Sequence, residues 1–194
     1  MEDKFLVTKA LLECYPYIED MHDALSRSAE KCAADGFYAI FASEQMRLYE
    51  QIMKYNNRKT GLYNMKYLTE EGVGGSALTA ILRERYLKEK SAATLSAENG
   101  IPLRTVYRRL EAGHAAFTSR LEEMGFDKKR LLKEFGNEPL FLSMLKRVID
   151  EEDEKERIRD ALLKVNVEAF GGLSRHNHRR SRPHRDSGDD RVSA

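Results

Sequence analysis

Residues 91–110 read Ser91-Ala92-Ala93-Thr94-Leu95-Ser96-Ala97-Glu98-Asn99-Gly100-Ile101-Pro102-Leu103-Arg104-Thr105-Val106-Tyr107-Arg108-Arg109-Leu110, and this stretch decides how the chain is read. Two short helices that cross steeply through a tight turn need small side chains where they touch, a residue tolerant of positive φ at the turn, and an apolar plug after it. Leu95 supplies the apolar contact of the first helix, with Ala92, Ala93 and Ser96 as small neighbours. Gly100 stands at the turn and Ile101 is the plug. Pro102 suits the first turn of the following helix, where no N–H partner is lost. Val106 falls one turn later, facing Leu95 and Ile101. The spacing predicts a helix-turn-helix over about residues 91–112.

In that motif the N-terminal part of the second helix enters the major groove of duplex DNA. Its outward residues here are Leu103, Arg104, Thr105, Tyr107, Arg108 and Arg109. An arginine can bridge guanine O6 and N7, threonine reaches a base or a phosphate, and leucine can touch a thymine methyl. Arg108 and Arg109 equally suit phosphates, which set register without reading sequence. These six residues are the candidate DNA contacts of a recognition helix at about 102–112, and double-stranded DNA is the implied ligand. Val106, Leu110, Gly113, Phe117 and Leu121 continue at helical spacing, so this helix is expected to run past the motif and pack on its own domain. The plainer reading is a helix–glycine–helix hairpin with a charged outer face. The conjunction of small residues, glycine, plug, helix start, inward valine and three arginines favours DNA.

Ile81-Leu82-Arg83-Glu84-Arg85-Tyr86-Leu87 followed by Ser91 to Leu110 resembles the fourth region of bacterial sigma factors. It looks most like the sigma-region-4-like regulators of phages and mobile elements in Gram-positive bacteria. The matching residues are Arg85-Tyr86-Leu87, Gly100-Ile101 and Thr105-Val106-Tyr107-Arg108, within about 40 of the 194 residues. The resemblance implies a transcriptional regulator that binds DNA in sequence-specific fashion, with RNA polymerase as a candidate partner. Lys90 and Asn99 stand where the family is usually apolar, and Pro102-Leu103 replaces a usual Ser-Arg. No counterpart of the second sigma region is found, so a complete initiating sigma factor is not expected.

The rest of the chain reads as helix, and the expected fold class is all-α. Four regions are expected: a helical N-terminal region 1–75, the helix-turn-helix domain 76–125, C-terminal helices 126–170 and a disordered basic tail 171–194. A helix over 3–34 should break or kink near Pro16 and end at Asp35-Gly36, since proline cannot donate to the helix ladder. A second helix should start with Ser43 as N-cap and stop at Asn56-Asn57, with a short one following at 60–71. The three glycines of residues 72–75 mark a break. Ser76 should cap a helix burying Leu78, Ile81, Leu82 and Tyr86. Helices at about 127–135, ending at Gly136, and Pro139–Ala169 complete the reading. The aromatic residues of the first half, Tyr15, Tyr17, Phe37, Tyr38, Phe41, Tyr49, Tyr55, Tyr63 and Tyr67, are expected mainly in the core. A protein-contact face is the alternative.

Charge is uneven beneath a net charge of +1. Residues 83–120 hold eight basic and four acidic side chains, whereas the flanking stretches 1–82 and 121–170 are each net acidic. The run Asp150-Glu151-Glu152-Asp153-Glu154 is a solvated helix face without the ligand spacing of a calcium loop. Cys14 and Cys32 lie too far apart in sequence for a CxxC pair. The first residues lack the basic-then-apolar pattern of a signal peptide, and no apolar run reaches the roughly 20 residues of a membrane helix. A cytoplasmic protein with no membrane association is expected. No nucleophile–base or paired-carboxylate arrangement can be placed, so neither an enzyme, a cofactor nor a metal is expected. The tail, with six arginines, is expected to add non-specific nucleic-acid affinity. A homodimer is a further candidate assembly. The alternative function is a protein-binding module on the same scaffold, such as a phage-encoded inhibitor of a host nuclease or polymerase, with the acidic run mimicking nucleic acid.

Overall fold

Val7, Ala10, Leu11, Cys14, Ile18 and Leu25 recur at helical spacing, and all are buried on one face of helix α1 (Asp3–Tyr38). A computed structural model describes residues 3–176, with side chains described from residue 4 to 161, and every regular element among them is helical. α1 runs unbroken through Pro16 and past Asp35-Gly36, contrary to the expected break. A proline inside a helix costs about 3 kcal/mol or more. Leu11, Leu12, Cys14 and Ile18 around it are nearly or fully buried, and each such side chain contributes roughly 1.5–3 kcal/mol, enough together to hold the helix continuous.

A short connection returns the chain into α2 (Ala42–Val73), which packs along α1 as a helical hairpin. Two expectations fail here. The N-cap position is Phe41, not Ser43, and α2 passes straight through Asn56-Asn57, absorbing the separate helix expected at 60–71. Asparagine is only a weak helix former, and burial of Leu62, Met65 and Leu68 beyond the pair carries the helix onward. The glycine break is observed: Gly74 ends α2 and Gly75 has φ of 81°.

Ser76 does not begin a helix directly. Its Oγ accepts from the Leu78 N–H at 3.1 Å, and α3 (Ala80–Leu82) starts after Thr79. Thr79 is buried, its Oγ1 donating to the Val73 carbonyl at 2.9 Å and the Ser76 carbonyl at 3.0 Å. Leu78, expected inside, is exposed. α3 passes into a π-helical turn, Arg83–Leu87, and then come α4 (Ala92–Asn99), α5 (Leu103–Glu123), α6 (Lys128–Phe135) and α7 (Pro139–His176). Asp127 caps α6, its carboxylate accepting from the Arg130 N–H at 2.8 Å.

The chain divides into one unit up to Asp150 and a second from Glu151. In the first, α5 supplies the central stripe Val106, Leu110, Phe117 and Leu121 to a core shared with α1, α2, α6 and the start of α7. Two close approaches seat α5. A Cβ on Gly72 would lie 2.4 Å from Phe117 Cε2, and one on Gly113 would lie 3.0 Å from the Leu78 carbonyl oxygen. Thr8 of α1 and Thr118 of α5 share a buried hydrogen bond of 2.7 Å. Arg58 of α2 grips the buried carboxylate of Glu138 with two hydrogen bonds, 3.2 and 2.8 Å, fixing the residue before α7. Arg147 of α7 meets Glu13 of α1 at 2.6 Å.

In the second unit α7 continues, with Lys155–Glu152 at 2.6 Å and Arg157–Glu154 at 3.8 Å along its surface. Its backbone carries on through Gly171-Gly172 to His176, where an irregular tail was expected to have begun. The remainder of the expected tail, 177–194, lies outside the described residues. No helix among the described residues is long and apolar enough to cross a membrane.

Gly72 and Gly61 share α2 but not surroundings, since nothing lies within 4 Å of a Cβ on Gly61. Gly72→Ala is expected to destabilise the fold by about 1–3 kcal/mol through overpacking. Gly61→Ala is expected to stabilise it by about 0.5–1 kcal/mol through helix propensity. Urea unfolding of the two variants checks the opposite signs.

Candidate nucleic-acid interface

α4 and α5 are joined at Gly100, whose φ of 60° and ψ of 29° are left-handed. Ser91 caps α4, its Oγ accepting from the Thr94 N–H at 3.0 Å. Asn99 closes the helix by donating from Nδ2 to the Leu95 carbonyl at 2.8 Å. Across the turn, Ser96 Oγ donates to the Ile101 carbonyl at 2.6 Å and the Ile101 N–H returns to the Ser96 carbonyl at 3.2 Å. Leu95 and Val106 are both buried, with Ile101 packed against the same core. Pro102 stands at the N-cap position, so α5 begins at Leu103.

The six predicted contact residues do not all share one face. Leu103, Arg104, Tyr107 and Arg108 are exposed, and with 100° of rotation per residue they fall on one side of the first turns of α5. Thr105 is half-buried and lies about 100° round from Arg104. Arg109 is exposed but lies about 100° round from Arg108. It lines a cleft of about 400 Å3 between α5 and the 77–84 segment, together with Leu78, Ile81, Arg83 and Leu95.

The electrostatics separate the basic residues of this region into two sets. Glu84 receives Lys88 at 2.6 Å and Lys90 at 2.8 Å, and Lys90 also reaches Glu98 of α4 at 2.7 Å. Lys90 therefore ties the π-helical turn to α4, a structural use that its position in the sequence gave no sign of. The turn between them is held by Glu89 in a left-handed conformation, φ 55°, and by Arg85 donating to the Lys90 carbonyl at 3.1 Å. The hydrogen bonds from Lys88 and then Lys90 hold the Glu84 carboxyl down at about 2. Contact with Glu84 and then Glu98 raises the Lys90 ammonium. By contrast, Arg83, Arg104, Arg108 and Arg109 have no carboxylate partner among the described residues. Behind the site, Tyr86 Oη and His114 Nε2 lie 3.1 Å apart, linking the π-helical turn to α5. What this arrangement offers chemically is an exposed, guanidinium-rich helix start on a rigid support, suited to binding anions.

No protein family, curated protein or solved structure matches this chain.

Two outcomes are expected. Gly100→Ala places a Cβ in left-handed backbone and should cost about 1 kcal/mol, after the lost unfolded-state freedom of glycine is credited; thermal unfolding measures it. Glu84, its pKa depressed when folded, contributes stability that is fully present above its ordinary value of 4.5 and is lost as pH falls through about 2. The stability difference between wild type and Glu84→Gln, followed by urea unfolding at stepped pH, should be flat above 4.5 and shrink toward 2. A difference independent of pH contradicts the network.

Proposed function

We propose that this chain is a cytoplasmic transcriptional regulator of phage or mobile-element type that binds double-stranded DNA sequence-specifically through a helix-turn-helix, with the start of α5 in the major groove. The observation that carries the reading is the set of unpaired arginines at the beginning of a helix that follows a left-handed glycine turn. Arg104 and Arg108 share the outward face with Leu103 and Tyr107, the side from which base edges are read. Arg83 and Arg109 line the cleft beside Glu84, and in this reading they take phosphates, which fix register. Lys88 and Lys90 take no part, because their charge is spent on Glu84 and Glu98. The local sequence resemblance to sigma region 4 supports the same assignment.

The test is duplex binding across a salt series, on specific and random DNA. Affinity should fall steeply with salt, and each phosphate-contacting arginine removed should lower the slope of log K against log salt by about 1. Arg104→Ala should cost about 1–3 kcal/mol on the preferred site and relax its sequence preference. Reversal of Arg104, Arg108 and Arg109 to Glu should abolish binding. Absence of binding at low salt sinks the proposal and favours a protein target.

A further inference from the structure

Tyr17, Phe37, Tyr38, Phe41, Tyr49, Tyr63 and Tyr67, expected mainly in the core, are all exposed, and Tyr15 and Tyr55 are half-buried. Leu78, also expected inside, is 59% exposed, and beside it stand both a cavity and uncompensated charge. It lines the cleft between α5 and the 77–84 segment.

Leu78 is not turned outward by slack in the chain. Ser76 Oγ accepts from the Leu78 N–H at 3.1 Å, and Thr79 Oγ1 donates to the carbonyls of Val73 and Ser76 at 2.9 and 3.0 Å. α5 abuts the same segment, since a Cβ on Gly113 would come within 3.0 Å of the Leu78 carbonyl oxygen. The backbone on both sides of Leu78 is thus fixed, and the cleft is formed before anything enters it. A preformed site binds without an ordering cost of its own.

The apolar lining comes from every side of the cleft: Leu78 and Ile81 from one wall, Ala112 from α5, and Leu95 and Ile101 from α4 and the turn. Arg83 stands on one wall and Arg109 on the other, and neither has a carboxylate partner among the described residues. Glu84 lines the cleft as well. Its carboxylate is engaged by Lys88 and Lys90, Lys90 continues to Glu98, and the four charges cancel. What is left is an apolar lining with two positive charges that nothing nearby offsets.

We propose that this cleft binds a small amphipathic anion, a carboxylate on a short hydrocarbon body. Its volume of about 400 Å3 falls within the roughly 300–1,000 Å3 of small-molecule sites. It is too small for a helix of another protein, which is about 10–12 Å across with its side chains. A guanidinium fork fits a carboxylate or a phosphate, and the carboxylate, being the smaller, leaves more of the volume to the body. The hydrocarbon covers Leu78 and Ile81, which a bare phosphate would leave in water. A neutral or cationic ligand would leave the two guanidiniums uncompensated. In the proposed complex with DNA the same arginines take phosphates, so the carboxylate and the duplex are alternative occupants. The inference itself does not depend on DNA, and its test uses none.

Amide NMR of the full chain, titrated with sodium octanoate at millimolar concentration, should show saturable shifts at Leu78, Ile81, Arg83, Asn99 and Arg109. Acetate has the head without the body, and octylamine has the body with the opposite charge. Neither should shift these amides at the same concentration. Arg83→Gln with Arg109→Gln should weaken octanoate by about tenfold, with circular dichroism unchanged because both side chains are exposed. Leu78→Ser should weaken it by about fivefold. Should either variant fail to fold, the comparison of the three ligands on the wild-type chain decides. No saturable shift with octanoate overturns the proposal. So do shifts of equal size with acetate or octylamine, shifts spread over the exposed aromatic residues of α1 and α2 as surfactant adsorption would give, or an affinity unchanged in the folded arginine variant.

Discussion

Phe117 lies so close over Gly72 that no side chain fits between them, and Gly113 meets the 78–82 segment with equally little room. These two contacts seat α5, and most of the first unit is arranged around that helix. Its buried stripe faces α1 and α2 at one end and closes over Leu95 at the other, while Thr118 is tied to Thr8 of α1. A helix held along its whole inner face cannot roll. The face of α5 that carries Arg104 and Arg108 is thereby set by packing several turns away, which would lower the ordering cost for a ligand that binds there.

The basic surplus of residues 83–120 would overstate the charge available to a ligand if it were only counted. Part of it is internal: Lys88 and Lys90 converge on Glu84, and Lys90 reaches on to Glu98, so that these cations join the π-helical turn to α4. What remains outward is guanidinium. Arginine presents a planar fork matched to phosphate and to the guanine edge, which an ammonium does not. The division leaves the lysines in surface ion pairs and the guanidinium forks without a carboxylate partner.

The α4–α5 turn was legible because each of its requirements is local. Gly100 meets a backbone demand, while Leu95, Ile101 and Val106 stand at the spacings that short-range packing needs. The long helices were not legible. Pro16 and the pair Asn56-Asn57 weaken helix locally, and what overrules them is burial of Leu12, Ile18, Leu62 and Met65 against partners distant in sequence. The π-helical turn and the left-handed Glu89 left no composition signal. Nor did the bonds of Lys90, since a lysine that bridges two helices reads the same as one in water. The aromatic residues of α2 misled for a related reason. Periodicity identifies an apolar stripe but not whether the chain itself covers it.

The central claim is that the first turns of α5 are the surface that meets DNA. Its most direct test is a backbone amide NMR titration of the full chain with a short duplex at low salt. The account predicts shifts concentrated between Ser91 and Arg109, with the exposed face of α2 from Met46 to Tyr67 unmoved by the nucleic acid. Shifts that cluster on α2, or no shifts at all, would contradict it.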